Sequence, residues 1–314
     1  MTATAAPATG TPATATARVT TPDPAPTTRL STPSRTAVRA RAALRVELDA
    51  DGTARIAELR SAVPVILRRT GGSGRVVVIH LVGGAGGPLA GDDLGLDIAV
   101  GAGAHLVVRS VAATVALPGH GAGPSTFAVH AQVGPAAALS WLPEPTVVAA
   151  GARHRMTTEI TLTPDSSLRY REEILLGRFG EPGGSLTTSL RVDVDVDREA
   201  PPAPSVHPAS SVPRRRPLLC QELRLGPDLP GAAGPAVLAG ARAIGSVLVA
   251  GPATSFDSAA GSGSVADGVA ALRLAGPGAL VSALAGDAVT LRRRLDALAG
   301  PLTGDLADTP ADTR

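Results

Sequence analysis

Residues 94–110 read LGLDIAVGAGAHLVVRS. Apolar side chains alternate as far as Val100, glycines at 101 and 103 interrupt the pattern, and a second apolar run follows. Period-two alternation places successive side chains on opposite faces of a strand, and glycine opens the backbone angles of a tight turn. The segment therefore reads as strand, turn, strand. The same order recurs in STFAVHAQVGPAAALSWLPEP at 125–145, with its turn at Gly134-Pro135, and in TTEITLTPDSSLRYREEILLGR at 157–178, with its turn at Pro164-Asp165. The turns are spaced 33 and then 29 residues apart. A spacing of that length suits stacked units that close one another's cores. An antiparallel sandwich also gives short strands with regular turns. Either way the chain is mainly β.

Just upstream, HLVGGAGGPLAGDDLGLDIAV (80–100) carries five glycines between 83 and 91. Gly86 and Gly91 have the spacing of a Walker A loop, but Asp92 and Asp93 stand where the Lys and Ser/Thr belong. All 29 basic residues of the chain are arginines. A dinucleotide loop must open a helix, whereas LGLDIAV reads as strand. The glycines are expected to form a bend between strands, where the backbone needs positive φ or close approach.

Composition narrows the choice of function. The 314 residues are 44% hydrophobic but only 2% aromatic, namely Trp141, Tyr170, Phe127, Phe179 and Phe256. Residues 1–45 hold six arginines against Asp23 alone, so the net charge of +2 conceals a basic tail and an acidic body. The arginine runs at 214–216 and 292–294 lack neighbouring aromatics and read as solvated clusters, not as a nucleic-acid surface. Cys220 is the only cysteine, which excludes an internal disulfide and fits a reducing cytoplasm. The N-terminus has no apolar signal region, and no apolar run reaches the roughly 18 residues of a spanning helix. No membrane role is expected.

Residues 1–38, rich in Ala, Thr and Pro, are expected to be disordered. A single β domain should then run over 39–304, starting with a hairpin at Asp51-Gly52 and ending before a loose 305–314. The proline-rich 201–217 reads as an insertion. In RVDVDVDRE (191–199) Asp193, Asp195 and Asp197 alternate with valines and read as a solvated strand face. Two helices are expected on the C-terminal side. One is PAVLAGARAIGSVLVAG (235–251). The other is GDAVTLRRRLDALAG (286–300), with Asp287 as cap, an apolar stripe of Ala288, Leu291, Leu295 and Leu298, and Gly300-Pro301 as stop.

No catalytic constellation emerges. The histidines at 80, 105, 120, 130, 154 and 207 form no ligand-spaced pair, and no G-x-S-x-G elbow occurs. Glu172 and Glu173 are neighbours on a strand and face opposite ways.

Two long segments carry a family likeness. IHLVGGAGGPLAGDDLGLDIAVGAGAHLVVRSVAATVAL (79–117) and LSWLPEPTVVAAGARHRMTTEITLTPDSSLRYREEILLGRFGEPGG (139–184) resemble the urease accessory protein D family, also called UreH. The first shows that family's His, Gly-Gly loop, Gly-Asp pair, V-G-x-G-A and A-A-T. The second shows its W-L-P segment and a strand pair ending in Gly-Arg. A third match, PGALVSALAGDAVTLRRRLDAL (277–298), resembles its closing Gly-Asp and helix. Val82 stands where the family has Pro, VALPGH (115–120) replaces an aromatic and a basic residue, and Glu144-Pro145 follows the W-L-P.

The resemblance implies a β-helical stack of short strands with a small helical element. It implies a non-enzymatic urease maturation scaffold that joins urease accessory proteins F and G and presents apo-urease for nickel insertion. Nickel is then handled by the assembly and GTP by protein G, with no cofactor held stably by this chain. Gly83, Gly84, Gly91, Trp141, Pro143 and Glu144 become structural or partner-contact candidates, and His80, Asp92 and Asp93 candidates for a transient cation path. The alternative is a β-helix enzyme acting on a polysaccharide or similar polymer.

Overall fold

The computed structural model describes Thr2 and residues 37–119, 121–196, 214–252, 265–266 and 268–300. The expected disordered tail apart from Thr2, Ala37 and Val38, the body of the proline-rich insertion, His120, His207, Asp197 and the C-terminal 301–314 lie outside these residues.

Two hairpins open the fold: β1 (Arg39–Leu48) with β2 (Ala54–Arg60), and β3 (Val65–Gly71) with β4 (Val76–Gly83). The first turns at the expected place, with Gly52 at φ 81° and Asp51 Oδ1 accepting from the Thr53 N–H. A coil follows, comprising β5 (Asp93–Val100), β6 (His105–Ser110), β7 (Thr114–Ala116), β8 (Ser125–Val133), β9 (Ala138–Leu142), β10 (Thr146–Val148), β11 (Arg153–Leu162), β12 (Ser167–Leu176) and β13 (Ser185–Asp195). The last elements are β14 (Arg215–Leu225), β15 (Ala243–Ala250), β16 (Val265–Ala266), β17 (Val269–Arg273), β18 (Gly278–Ala285) and α1 (Ala288–Ala299).

The three strand–turn–strand units are not hairpins. Each turn carries the chain from one sheet to the other. β5, β8, β11 and β13 pair in parallel in a seven-stranded sheet, and β4, β6, β9 and β12 in parallel in an eleven-stranded one. The spacing read from the turns is the register itself: Asp93 pairs Thr126, 33 residues on, and Thr126 pairs Arg155, 29 further. β1 extends the parallel array of the smaller sheet, and antiparallel strands close the coil at both ends, β2 and β3 at one, β14 and β15–β18 at the other. End units of this kind cap the open edges of a stack.

Inward-facing residues of the two sheets make the main core. One row runs Ile79, Val108, Trp141, Tyr170, Leu248, Leu280 across the larger sheet. Facing it, Leu44, Ile98, Ala131, Ile160 and Val192 cross the smaller one.

One helix is present among the described residues, not two. Residues 235–242 form turns and a bend, and 243–250 are β15. A wholly apolar run does not distinguish a buried strand from a buried helix by periodicity. Here the strand lies centrally between β12 and β18, buried on both faces. One face joins the main core through Leu248 and Ala250. The other, through Ala243, Val247 and Val249, packs under α1. A Cβ at Gly245 would meet Leu295 Cδ1 at 2.9 Å and Glu172 O at 3.0 Å, so the glycine lets α1 sit close. The helix itself is as expected, with the Asp287 carboxylate accepting from Thr290 N–H and Leu291 and Leu295 buried.

Two further expectations change. β14 starts at Arg215 and contains Pro217, opposite the bulge at Val192/Asp193, on an edge of the sheet where a missing N–H is tolerated. Asp193 is not solvated: its side chain is 8% exposed and accepts from Arg191 Nε at 2.8 Å. No helix among the described residues is long and apolar enough to cross a membrane.

Candidate functional site: a polar-lined cavity between the sheets

Near the 83–88 loop a cavity of about 420 Å³ is lined by residues of both sheets. Its walls are mostly apolar, from Leu94, Phe127, Val129 and Met156 on one sheet and Leu81 and Trp141 on the other. Ala112, Ala113 and Thr114 of the A-A-T segment, with Pro143 and Glu144, form part of the lining.

A polar chain crosses this space. Strand alternation puts Tyr170 and Glu172 of β12 on the inner face, opposite Thr158 of β11 and Thr188 of β13. Thr188 Oγ1 donates to Glu172 Oε1 at 2.8 Å, Tyr170 OH donates to the same oxygen at 3.3 Å, and Thr158 Oγ1 lies 3.4 Å from the tyrosine OH. Glu172 is surrounded by protein yet keeps accessible surface, because it faces the cavity. Burial raises its pKa, against the two hydroxyl donors that favour the charged form. Burial, helped by Glu172, also raises that of Tyr170. His154, 3% exposed, also lines the cavity, with Nδ1 2.8 Å from Ser125 Oγ. Burial lowers its pKa to about 4, so its imidazole is neutral at pH 7.

Glu173 leaves β12 on the other face, beneath α1. There its carboxylate, with no exposed side-chain surface, meets Arg171 at 3.4 Å and Arg292 at 2.7 Å. Arg292 also pairs with Glu144 at 3.1 Å, and Arg171 with Asp296. The arginine run is thus partly a clamp and not a solvated cluster. One arm holds the helix to the strand, the other reaches the W-L-P-E segment.

The candidates from sequence do not converge. His80 lies on the outer face of β4, bonded through Nδ1 to Thr70 Oγ1 at 2.7 Å, its pKa lowered by burial and then by Arg109. Asp92 is 3% exposed, and its oxygens accept from Val38 N and Leu89 N, both at 2.9 Å. It is a buried tie between the start of the body and the glycine loop. Asp93 opens β5, bonded to Arg41 at 2.8 Å and Thr126 at 2.9 Å, and these bonds, that to Arg41 first, lower its pKa. Gly83 ends β4. Gly84 lies against Ile66, whose Cδ1 would be 2.7 Å from an added Cβ, and Gly91 has φ 85°. Trp141, 5% exposed, packs in the core. Pro143 and Glu144 line the cavity, and Glu144 N donates to Ser110 Oγ.

Among the described residues no three His, Cys, Asp or Glu side chains group into a metal-holding set. The interior chain of Glu172, Tyr170, Thr158 and Thr188 escaped the sequence reading, which weighed Glu172 only as half of a pair with Glu173. The signal was present. In SLRYREEILL, Leu168, Tyr170, Glu172 and Ile174 share one face, so a carboxylate interrupts a core row.

Three comparisons bear on this arrangement. The model of a family described as UreD urease accessory protein matches residues 38–314. A protein named urease accessory protein UreD from Parafrankia sp. (strain EAN1pec) is 76% identical over 280 residues, covering 88% of this chain and 93% of that one. Its namesake in Frankia casuarinae is 53% identical over 299 residues, covering 86% and 91%. Urease accessory protein UreD 3 of Streptomyces griseus is 46% identical over 265, covering 82% and 95%.

Proposed function

Because the chain belongs to the UreD family of urease accessory proteins, we propose that it is a urease maturation scaffold, working in the cytoplasm with accessory proteins F and G to present apo-urease for nickel insertion. The observation that carries this reading is the match over residues 38–314, which spans the coil, its end strands and α1 in one piece. GTP hydrolysis falls to protein G, and nickel is cargo.

The cavity gives the scaffold a place for a passing cation. Neutral imidazole, carboxylate and hydroxyl oxygens line a largely apolar space, with the lining Arg171 paired to Glu173 and Asp296, and imidazole suits nickel better than carboxylate does. These donors are strung along the cavity wall and not gathered on one point, which suits transit more than storage. His154 and Glu172 take over the path assigned from sequence to His80, Asp92 and Asp93. The polymer-cleaving alternative needs two carboxylates in mutual reach. Glu172 and Glu173 face opposite sides of β12, and Glu144 and Glu173, which do approach each other, are joined by the Arg292 guanidinium between them.

The test is co-expression of urease and its other accessory proteins with and without this chain, reading urease activity and urease-bound nickel. Both should depend on the chain. Full activity and nickel content in its absence overturn the reading.

A further inference from the structure

The chain has few aromatic rings, and it places one of them wholly in solvent. Phe179, 107% exposed, stands at the tip of the connection from β12 to β13. The tip is a turn over 178–181, closed by Glu181 N donating to Arg178 O at 3.3 Å, with Gly180 at φ 78° in the third position. That geometry puts the phenylalanine at the outer corner.

The turn is held from below. Glu181 Oε1 accepts from Arg178 N and Nε, both at 2.8 Å, and Oε2 accepts from Arg178 Nη2 at 2.9 Å. Ala150 N donates to Glu181 Oε1 at 3.3 Å, tying the turn to the preceding layer of the coil. Arg242 Nη2 donates to the carbonyls of Leu176, Arg178 and Glu181. Gly177, at φ 83°, leaves no room for a side chain, since a Cβ would sit 2.6 Å from Glu181 O. An exposed ring normally costs an interface the entropy of ordering it, and here the backbone beneath the ring is already fixed. Aromatic residues, phenylalanine among them, are enriched at protein interfaces, and pre-organisation lowers what binding costs.

We propose that Phe179 is the anchor by which this chain docks a partner protein of the urease assembly, its ring filling an apolar socket rimmed by carboxylates. The inference rests on the maturation reading and adds the contact surface to it. Charge selects the rim. Arg178 is matched by Glu181, but Arg242 spends its donors on carbonyls and keeps its positive charge at the base of the turn. The same charge disfavours a second copy as occupant, because a two-fold contact at this tip would bring Arg242 against Arg242. A lipid surface is disfavoured by area, since membrane binding scales with the apolar surface buried and one ring supplies little.

The experiment measures binding of the tagged full chain to purified apo-urease, accessory protein F and accessory protein G separately, for wild type, Phe179→Ser and Glu181→Gln. Phe179→Ser should bind one of them about 30-fold or more weakly, the size of a hot-spot loss, with an unchanged melt. Glu181→Gln keeps the ring but loosens its support, and should weaken the same complex by less. Equal binding by wild type and Phe179→Ser overturns the anchor and leaves the maturation reading standing. If wild type binds none of the three, both fall. Loss in Phe179→Ser of a wild-type dimer in sedimentation, or of wild-type flotation with phosphatidylserine vesicles, assigns the ring another occupant and also overturns the proposal.

Discussion

His154 illustrates how much one buried side chain can impose on the molecule. Its folded pKa is about 4 against an ordinary value of 6.5, with burial the cause. Between these values the unfolded chain binds a proton that the native state refuses, so this group's effect is full stability above pH 6.5, lost as pH falls toward 4. The difference of pKa corresponds to about 3 kcal/mol. Glu172 opposes it. Its folded pKa is raised, so its contribution is full below the unfolded value and declines as pH rises through the folded one. The two are separable by substitution. In His154→Asn, urea melts at pH 4.5 and pH 7 should differ by about 2–3 kcal/mol less than they do in wild type. An identical pH dependence in the two proteins would show that the imidazole does not titrate as buried. Asp92 carries the same lesson in geometry. From sequence it is one of two acids at a loop corner. In the fold both its oxygens face in to backbone N–H groups, one of them 54 residues away, and no local pattern announces such a bond.

At the scale of elements, α1 depends on more than its apolar stripe. Leu291 and Leu295 bury fully against β15 and β18, a contribution of about 1.5–3 kcal/mol each. Arg292 adds the clamp to Glu173, a carboxylate with no exposed side-chain surface. Arg292→Met should destabilise by about 3 kcal/mol, because Glu173 is left with Arg171 alone in a dry site. Glu173→Gln combined with Arg292→Met should recover part of that loss. Chemical denaturation of the two variants measures both numbers, and a single variant as stable as wild type would remove the clamp from the account. The strands of the coil were legible because alternation and turn residues are local. So was α1, from its cap and stripe. β15 was not, because a strand buried on both faces carries no alternation, and Gly245 serves a helix more than 40 residues along the chain. The cavity was legible only in retrospect, since its polar chain is assembled from β11, β12 and β13 across the gap between sheets.

For the whole molecule, the two sides of the coil obey different rules. Each turn from the smaller sheet to the larger has four residues, at 101–104, 134–137 and 163–166. The turns are bonded to the layer before. Gly101 N donates to Val46 O, Gly134 N to Val100 O and Thr163 N to Val133 O, while Ala138 N reaches Ala104 O and Ser167 N reaches Ala137 O. The return connections are longer and unequal, and the difference between offsets of 33 and 29 residues arises there. One side is laminated at every turn; the other is laminated where β7 pairs in parallel with β10 and β10 with β12, and is a fringe only in stretches such as Gly123-Pro124, where a Cβ on Gly123 would meet nothing within 4 Å. Length can be edited in a fringe without moving the layers beneath it. An eight-residue epitope tag placed between Gly123 and Pro124 should leave the melt within a few degrees of wild type. The same tag between Ala102 and Gly103 should prise apart two layers and abolish cooperative unfolding, and equal melts for the two insertions would contradict this asymmetry. New lengths of chain, whether added by a protein engineer or by an accident of replication, are thus admitted at the loose stretches of one side of this protein and refused on the other.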